Sequence, residues 1–195
     1  MFSQSFPFTP MGPAAAVQEV IEGHLPTLER ALYLAETYLD QAAWLFRGIG
    51  RLQLIEEMLP VFYKKSISYS PEDLEDYSGP HDLALLFMVF AIGALVDLRQ
   101  DPANPEGEHY HQIARAAICL QPVLEKPSLV TIQTLHLLSI YNAMSSNEVG
   151  SNETSMETTW SLITLATHLS QTVRRCMYWL SLSVSDFVTL LDWST

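Results

Sequence analysis

From Leu83 to Val96 the chain runs 14 residues without a charge, and this run limits what the rest can become. A membrane-spanning helix needs about 20 apolar residues, so the run is too short to span and reads as a buried helix. A helix that is apolar all round leaves no face for water and has to be wrapped by other elements. With 195 residues, 48% of them apolar, the chain has the material for one such core, on a scale of about 100–200 residues per domain.

The wrapping elements read as helices. Residues 14–22 form a short amphipathic stretch stopped by Gly23 and Pro26. Thr27 then caps a stronger pattern in which Leu28, Leu32, Ala35, Leu39, Ala42 and Phe46 recur at helical spacing on one face. Leu52, Ile55, Leu59 and Phe62 repeat the pattern, with a kink or early end expected at Pro60. Ser70 to Asp73 has the look of a helix start. Residues 101–107 read as a loop, after which Tyr110, Ile113, Ala117 and Leu120 share a face. Ser128 caps a largely apolar helix to Met144, and a polar loop over residues 145–155 follows. Trp160, Leu162, Ile163, Ala166, Leu169 and Val173 line the last helix. Residues 1–13, with three prolines, are expected to be a disordered lead-in. The expected fold is all-α, with antiparallel helix pairs around one apolar core across residues 14–173 and a poorly defined C-terminal tail at 174–195.

Charge then narrows function. Asp and Glu number 22 against 10 Lys and Arg, a formal net charge of −12. Proteins that bind nucleic acid neutralise phosphates with basic faces, and from Ser70 to Glu108 nine acidic residues face one basic residue, Arg99. Direct DNA binding by these residues is not expected. Cys119 and Cys176, the two cysteines, are 57 positions apart, which gives neither a disulfide framework nor a cysteine-based zinc site.

No GxSxG, P-loop lysine, GxGxxG or HExxH motif occurs, so no catalytic or cofactor-binding residue is assigned. Metal-ligand residue types cluster in residues 108–111. Glu108 and His111, spaced i,i+3, can point the same way on a helix, whereas His109 points elsewhere. A carboxylate-bridged metal site needs a second such pair and further glutamates, and no second pair is present. A solvated helix start is the simpler reading. His136 and His168 sit among apolar helix residues and read as hydrogen-bonded or partly exposed histidines. The acidic run from Glu72 to Asp76 reads as a solvated face near a helix N-terminus.

Three stretches, in order, resemble one family. They are residues 29–58, then 81–120 with the buried run and EHYHQIARAAICL, then 127–173 with TTWSLITLATHLSQTV. Together they resemble the fungal-specific transcription factor domain, the middle regulatory region of zinc-cluster, six-cysteine activators and repressors. The resemblance implies an all-helical fold, action in the nucleus, transcription regulation through protein partners by dimerisation or coactivator contact, and no catalysis. It further implies that zinc and DNA are bound by a separate cluster, so that no cofactor is expected on these residues.

Two departures carry expectations of their own. The six-cysteine cluster is not in this sequence. After Val173, where the family pattern runs into a Gly-Leu-His-Arg-Asp-like turn, Arg174 to Trp179 read differently; residues 174–195 are expected to be a divergent tail from a changed reading frame, a retained intron or an alternative exon. The rival readings are a small helical metal-binding or enzymatic bundle centred on Glu108 and His111, and a non-functional gene fragment.

Overall fold

The computed structural model describes residues 13–63, 79–101, 104–124, 127–145 and 152–173, giving for 152–155 the backbone alone. The expected helix start at Ser70 to Asp73, the tail at 174–195 and all of the expected lead-in but Pro13 lie outside the described residues.

Every element among the described residues is helical. In chain order they are α1 (Ala14–Glu22), α2 (Leu28–Gln41), α3 (Ala43–Phe46), a π-helical segment (Leu52–Met58), α4 (Leu59–Tyr63), α5 (Pro80–Leu95), α6 (Pro105–Ile118), α7 (Leu129–Ser145) and α8 (Asn152–Thr172). The uncharged run is the centre. Pro80 opens α5 at a position where a missing N–H costs nothing, and the Asp82 carboxylate accepts the Gly79 N–H at 3.1 Å. From Leu83 to Ile92 every α5 side chain is fully buried, walled by α2, α6 and α7. α8 packs on α7, and α1 on α6.

Contacts at the helix ends fix the directions. His81, at the start of α5, meets the end of α6 and the start of α7. At the other end, Gly107 in the first turn of α6 lies against Ala91 and Tyr141. α5 and α6 are therefore antiparallel, as are α6 and α7, while α5 and α7 run parallel.

The face that α2 buries differs from the one its leucines suggest. Ala31, Leu34, Ala35 and Tyr38 are buried, whereas Leu28 and Leu32 are exposed. The cause is Gly93 of α5. A Cβ there would sit 2.3 Å from the carbonyl oxygen of Leu34, so the two backbones meet where side chains are small. The small-residue face of α2 is turned inward by that approach. The helix breaks at Ala42, resumes as α3, and ends on Arg47 in the left-handed region at φ 46°.

Pro60 changes the winding before it. Leu59 N–H bonds back to the Leu54 carbonyl, five residues earlier. A proline in a helix removes one bond and crowds the preceding turn, and the wider π winding accommodates both. The extra residue per turn shifts the phase of the buried face. Leu54, Met58, Leu59 and Phe62 face inward, and Leu52, expected on that face, is exposed.

Two boundaries also move. Asn104 caps α6 by accepting the Glu106 N–H at 3.0 Å, so the helix begins at Pro105 within the expected loop. α8 begins at Asn152, also within an expected loop, and Trp160 is partly exposed where burial was expected. Thr159 rather than Trp160 takes the inward position on α8.

α7 is enclosed from Val130 to Tyr141 although it carries polar residues. Ser128 caps it, with Oγ accepting the Thr131 N–H at 3.1 Å. The buried polar side chains reach main-chain carbonyls of neighbouring segments. His136 Nε2 donates to the Phe46 carbonyl at 3.0 Å, and the Gln133 amide donates to that of Gly48 at 2.9 Å. His81 Nδ1 accepts from the Thr131 hydroxyl at 2.7 Å, while its Nε2 donates to the carbonyls of Ile118 and Gln121, both at 3.2 Å. Burial holds both imidazoles below the usual histidine range, partly offset by these carbonyls.

Candidate functional site

The Glu108–His111 pair forms, but as part of the packing between α6 and α7. His111 is buried and stacks on the Tyr141 ring, centroids 4.3 Å apart and planes 20° from parallel. Its Nδ1 stands 3.5 Å from the Glu108 carboxylate. That contact, with amide donation from Gln112 and the Tyr141 hydroxyl, draws the Glu108 carboxyl down to about 2. His109 points out and meets the His24 ring at 5.4 Å. Among the described residues no group of three or more His, Cys, Asp or Glu is arranged to hold a metal ion. His136 is a buried, hydrogen-bonded histidine and His168 is exposed on α8. The acidic run from Glu72 to Asp76 lies outside the described residues.

A different place has the form of a site. Along one stripe of α2, Tyr33, Glu36, Thr37, Asp40 and Gln41 follow each other at helical spacing. Opposite them runs the turn after α5, residues 96–99. Between the two lies a cleft of about 320 Å³. One end is fixed by a polar network. Arg30 grips Glu106 through Nε at 3.1 Å and Nη2 at 2.5 Å, and its guanidinium lies 5.0 Å from the centroid of the Tyr33 ring. Hydrogen bonding to Arg30 lowers the Glu106 carboxyl, and burial pushes the adjoining Tyr110 hydroxyl up to about 12. The Tyr33 hydroxyl in turn donates to the buried Asp97 at 2.9 Å, which also accepts the Arg99 N–H at 3.1 Å.

The middle of the cleft is acidic and its ends are apolar. Glu36 is paired with Arg51 across 2.5 Å. Asp40 makes no hydrogen bond or ion pair among the described residues. Leu98 stands 89% exposed on the cleft wall. Trp44, 68% exposed, folds its indole back on the last turn of α2, donating to the Gln41 carbonyl at 3.1 Å. Sequence reading missed this place because its residues come from two segments, and Leu98 reads as the tail of the buried run. The signal that could have found it is the polar stripe of α2 at i, i+3, i+4 and i+7.

Comparison with known families gives one match. The model of the fungal specific transcription factor domain matches residues 49–185. The chain belongs to this family. The match covers α5, α6, α7 and α8, extends beyond Val173, and begins after α2 and α3. No curated protein and no solved structure matches. A fungal specific transcription factor domain is a regulatory and interaction region and not a catalytic one, in keeping with a core whose buried polar groups are spent on holding helices and turns. No helix among the described residues is long and apolar enough to cross a membrane.

Proposed function

We propose that this fungal specific transcription factor domain acts in the nucleus by contacting protein partners, through dimerisation or coactivator binding. DNA is then contacted by a zinc-cluster segment and not by these residues. The family match across most of the helical core carries this reading. The net charge of −12 supports the division of labour, since a surface of that sign repels phosphate. Residues 14–173 form the functional unit in this reading, with the tail apart from it.

A tethering experiment tests it. The chain is fused to an unrelated DNA-binding module and a reporter carrying that module's site is measured, beside an electrophoretic shift assay of the chain alone. The expected result is a reporter output that differs from the module alone, with no shifted DNA. A reporter unchanged by the fused chain, or tight DNA binding by the chain itself, would overturn the proposal.

A further inference from the structure

The geometry points to the cleft between α2 and residues 96–99 as a docking site for a basic, amphipathic helical segment of a partner protein. This rests on the regulatory reading above and gives it a place. Three observations combine. The cleft has apolar ends, Leu98 and Trp44, both more exposed than an isolated fold requires of large side chains in one neighbourhood. Its middle carries three carboxylates, Glu36, Asp40 and Asp97, against Arg99 on the wall and Arg51 on Glu36. Of these, Asp40 is the one left without a partner among the described residues.

Charge complementarity selects the occupant. A cation arriving at Asp40 meets an uncompensated carboxylate, while an anionic surface, nucleic acid included, is repelled. The two apolar ends then ask for apolar residues on either side of that cation. Seven positions of α2 separate Tyr33 from Asp40, about 10 Å along the helix, so the groove accepts roughly two turns of a helix laid against it. Helix-in-groove recognition works by such spaced apolar anchors with charges between them. The wall is firm. Asp97 is fixed by Tyr33 and Arg99, and Tyr33 is backed by Arg30, which keeps the cleft shaped before a partner arrives.

The test uses the full chain and a fluorescein-labelled synthetic Lys/Leu amphipathic peptide of about 14 residues. A second peptide has the same composition in an order that breaks the helical stripe. Binding is read by fluorescence anisotropy at about 0.15 M salt. The variants are Asp40→Lys and Leu98→Ser in the cleft, and Glu19→Lys on the exposed face of α1, which makes the same charge change elsewhere. Circular dichroism confirms that all three remain folded. The expected result is that Asp40→Lys weakens binding at least about tenfold and Leu98→Ser about tenfold, with Glu19→Lys below about twofold. The scrambled peptide is expected to bind more weakly than the patterned one.

Equal losses for Asp40→Lys and Glu19→Lys would reduce the effect to net charge and overturn the assignment. Equal binding of the two peptides would do the same. If light scattering finds a dimer that Leu98→Ser abolishes, the face belongs to a second copy of this chain and the proposal is again overturned. Loss of the peptide effects with a responsive tethered reporter removes the cleft alone. A silent reporter with the peptide effects intact removes the regulatory reading and leaves the cleft standing.

Discussion

Gly93 on α5 lies directly beneath the carbonyl of Leu34 on α2, so close that a Cβ at Gly93 would stand 2.3 Å from that oxygen. The contact is backbone to backbone, and no side-chain rotation relieves it. Gly93→Ala is therefore expected to force α2 away from α5 and to cost about 1–3 kcal/mol. Gly50→Ala is the control, since a Cβ there meets nothing within 4 Å, and should change stability by less than about 0.5 kcal/mol. Urea denaturation of the two variants measures the difference. Equal stability of both would mean that α2 does not sit on Gly93.

The π winding before Pro60 makes a prediction about phase. Leu54 is fully buried and Leu52 is 60% exposed. Leu54→Ala should cost about 2–5 kcal/mol by removing packed atoms and leaving a cavity. Leu52→Ala should stay within about 0.5 kcal/mol. Thermal melts of both variants decide between this winding and a regular α-helix, which would make Leu52 the costly position.

The same two places show what the sequence made legible and what it did not. The 14-residue run announced a buried helix because no solvent face was available to it, and α5 is walled on all sides. Thr27, Asn104 and Ser128 act locally as caps, and of these Thr27 and Ser128 were readable from the chain. The inward face of α2 was not readable, because it is chosen by a glycine on another helix. Nor was the phase of residues 52–62, since periodicity arguments assume one winding throughout. The cleft was hidden for a third reason. Asp40 and Leu98 come near each other only after α2 and α5 have packed.

Acidity should act in two stages. His81 and His136 have their folded values lowered by burial, so the unfolded chain takes up their protons more readily. The stability tied to their neutral forms is whole above about pH 6.5, the ordinary histidine value, and is lost as pH falls from there through the folded values. Glu106 and Glu108 are also lowered, by Arg30 and His111 respectively. Their contribution is whole above about pH 4.5 and is lost below it. Melting temperature should therefore begin to fall below about pH 6.5 and fall further below about pH 4.5. His136→Gln should flatten the upper stage. A melting temperature that is level from about pH 7 to pH 5 would contradict the burial of the two imidazoles.

Removing the His136 donor should loosen a distant turn. His136→Leu leaves the Phe46 carbonyl without its imidazole partner in a buried setting, at a cost of about 1–3 kcal/mol. Amide exchange over residues 46–50 should quicken in this variant more than exchange in α6. Uniform quickening across the chain would instead mean that the histidine serves general packing.

His136, Gln133 and His81 share a habit with a wider consequence. Each grips the peptide backbone of another segment, at Phe46, Gly48, Ile118 and Gln121, and not a side chain there. A carbonyl is the same whatever residue bears it. The gripped turns can therefore exchange their side chains without losing their anchorage, while the gripping residues have few substitutes. Variation in this molecule is permitted at the receiving end of each bond and forbidden at the giving end.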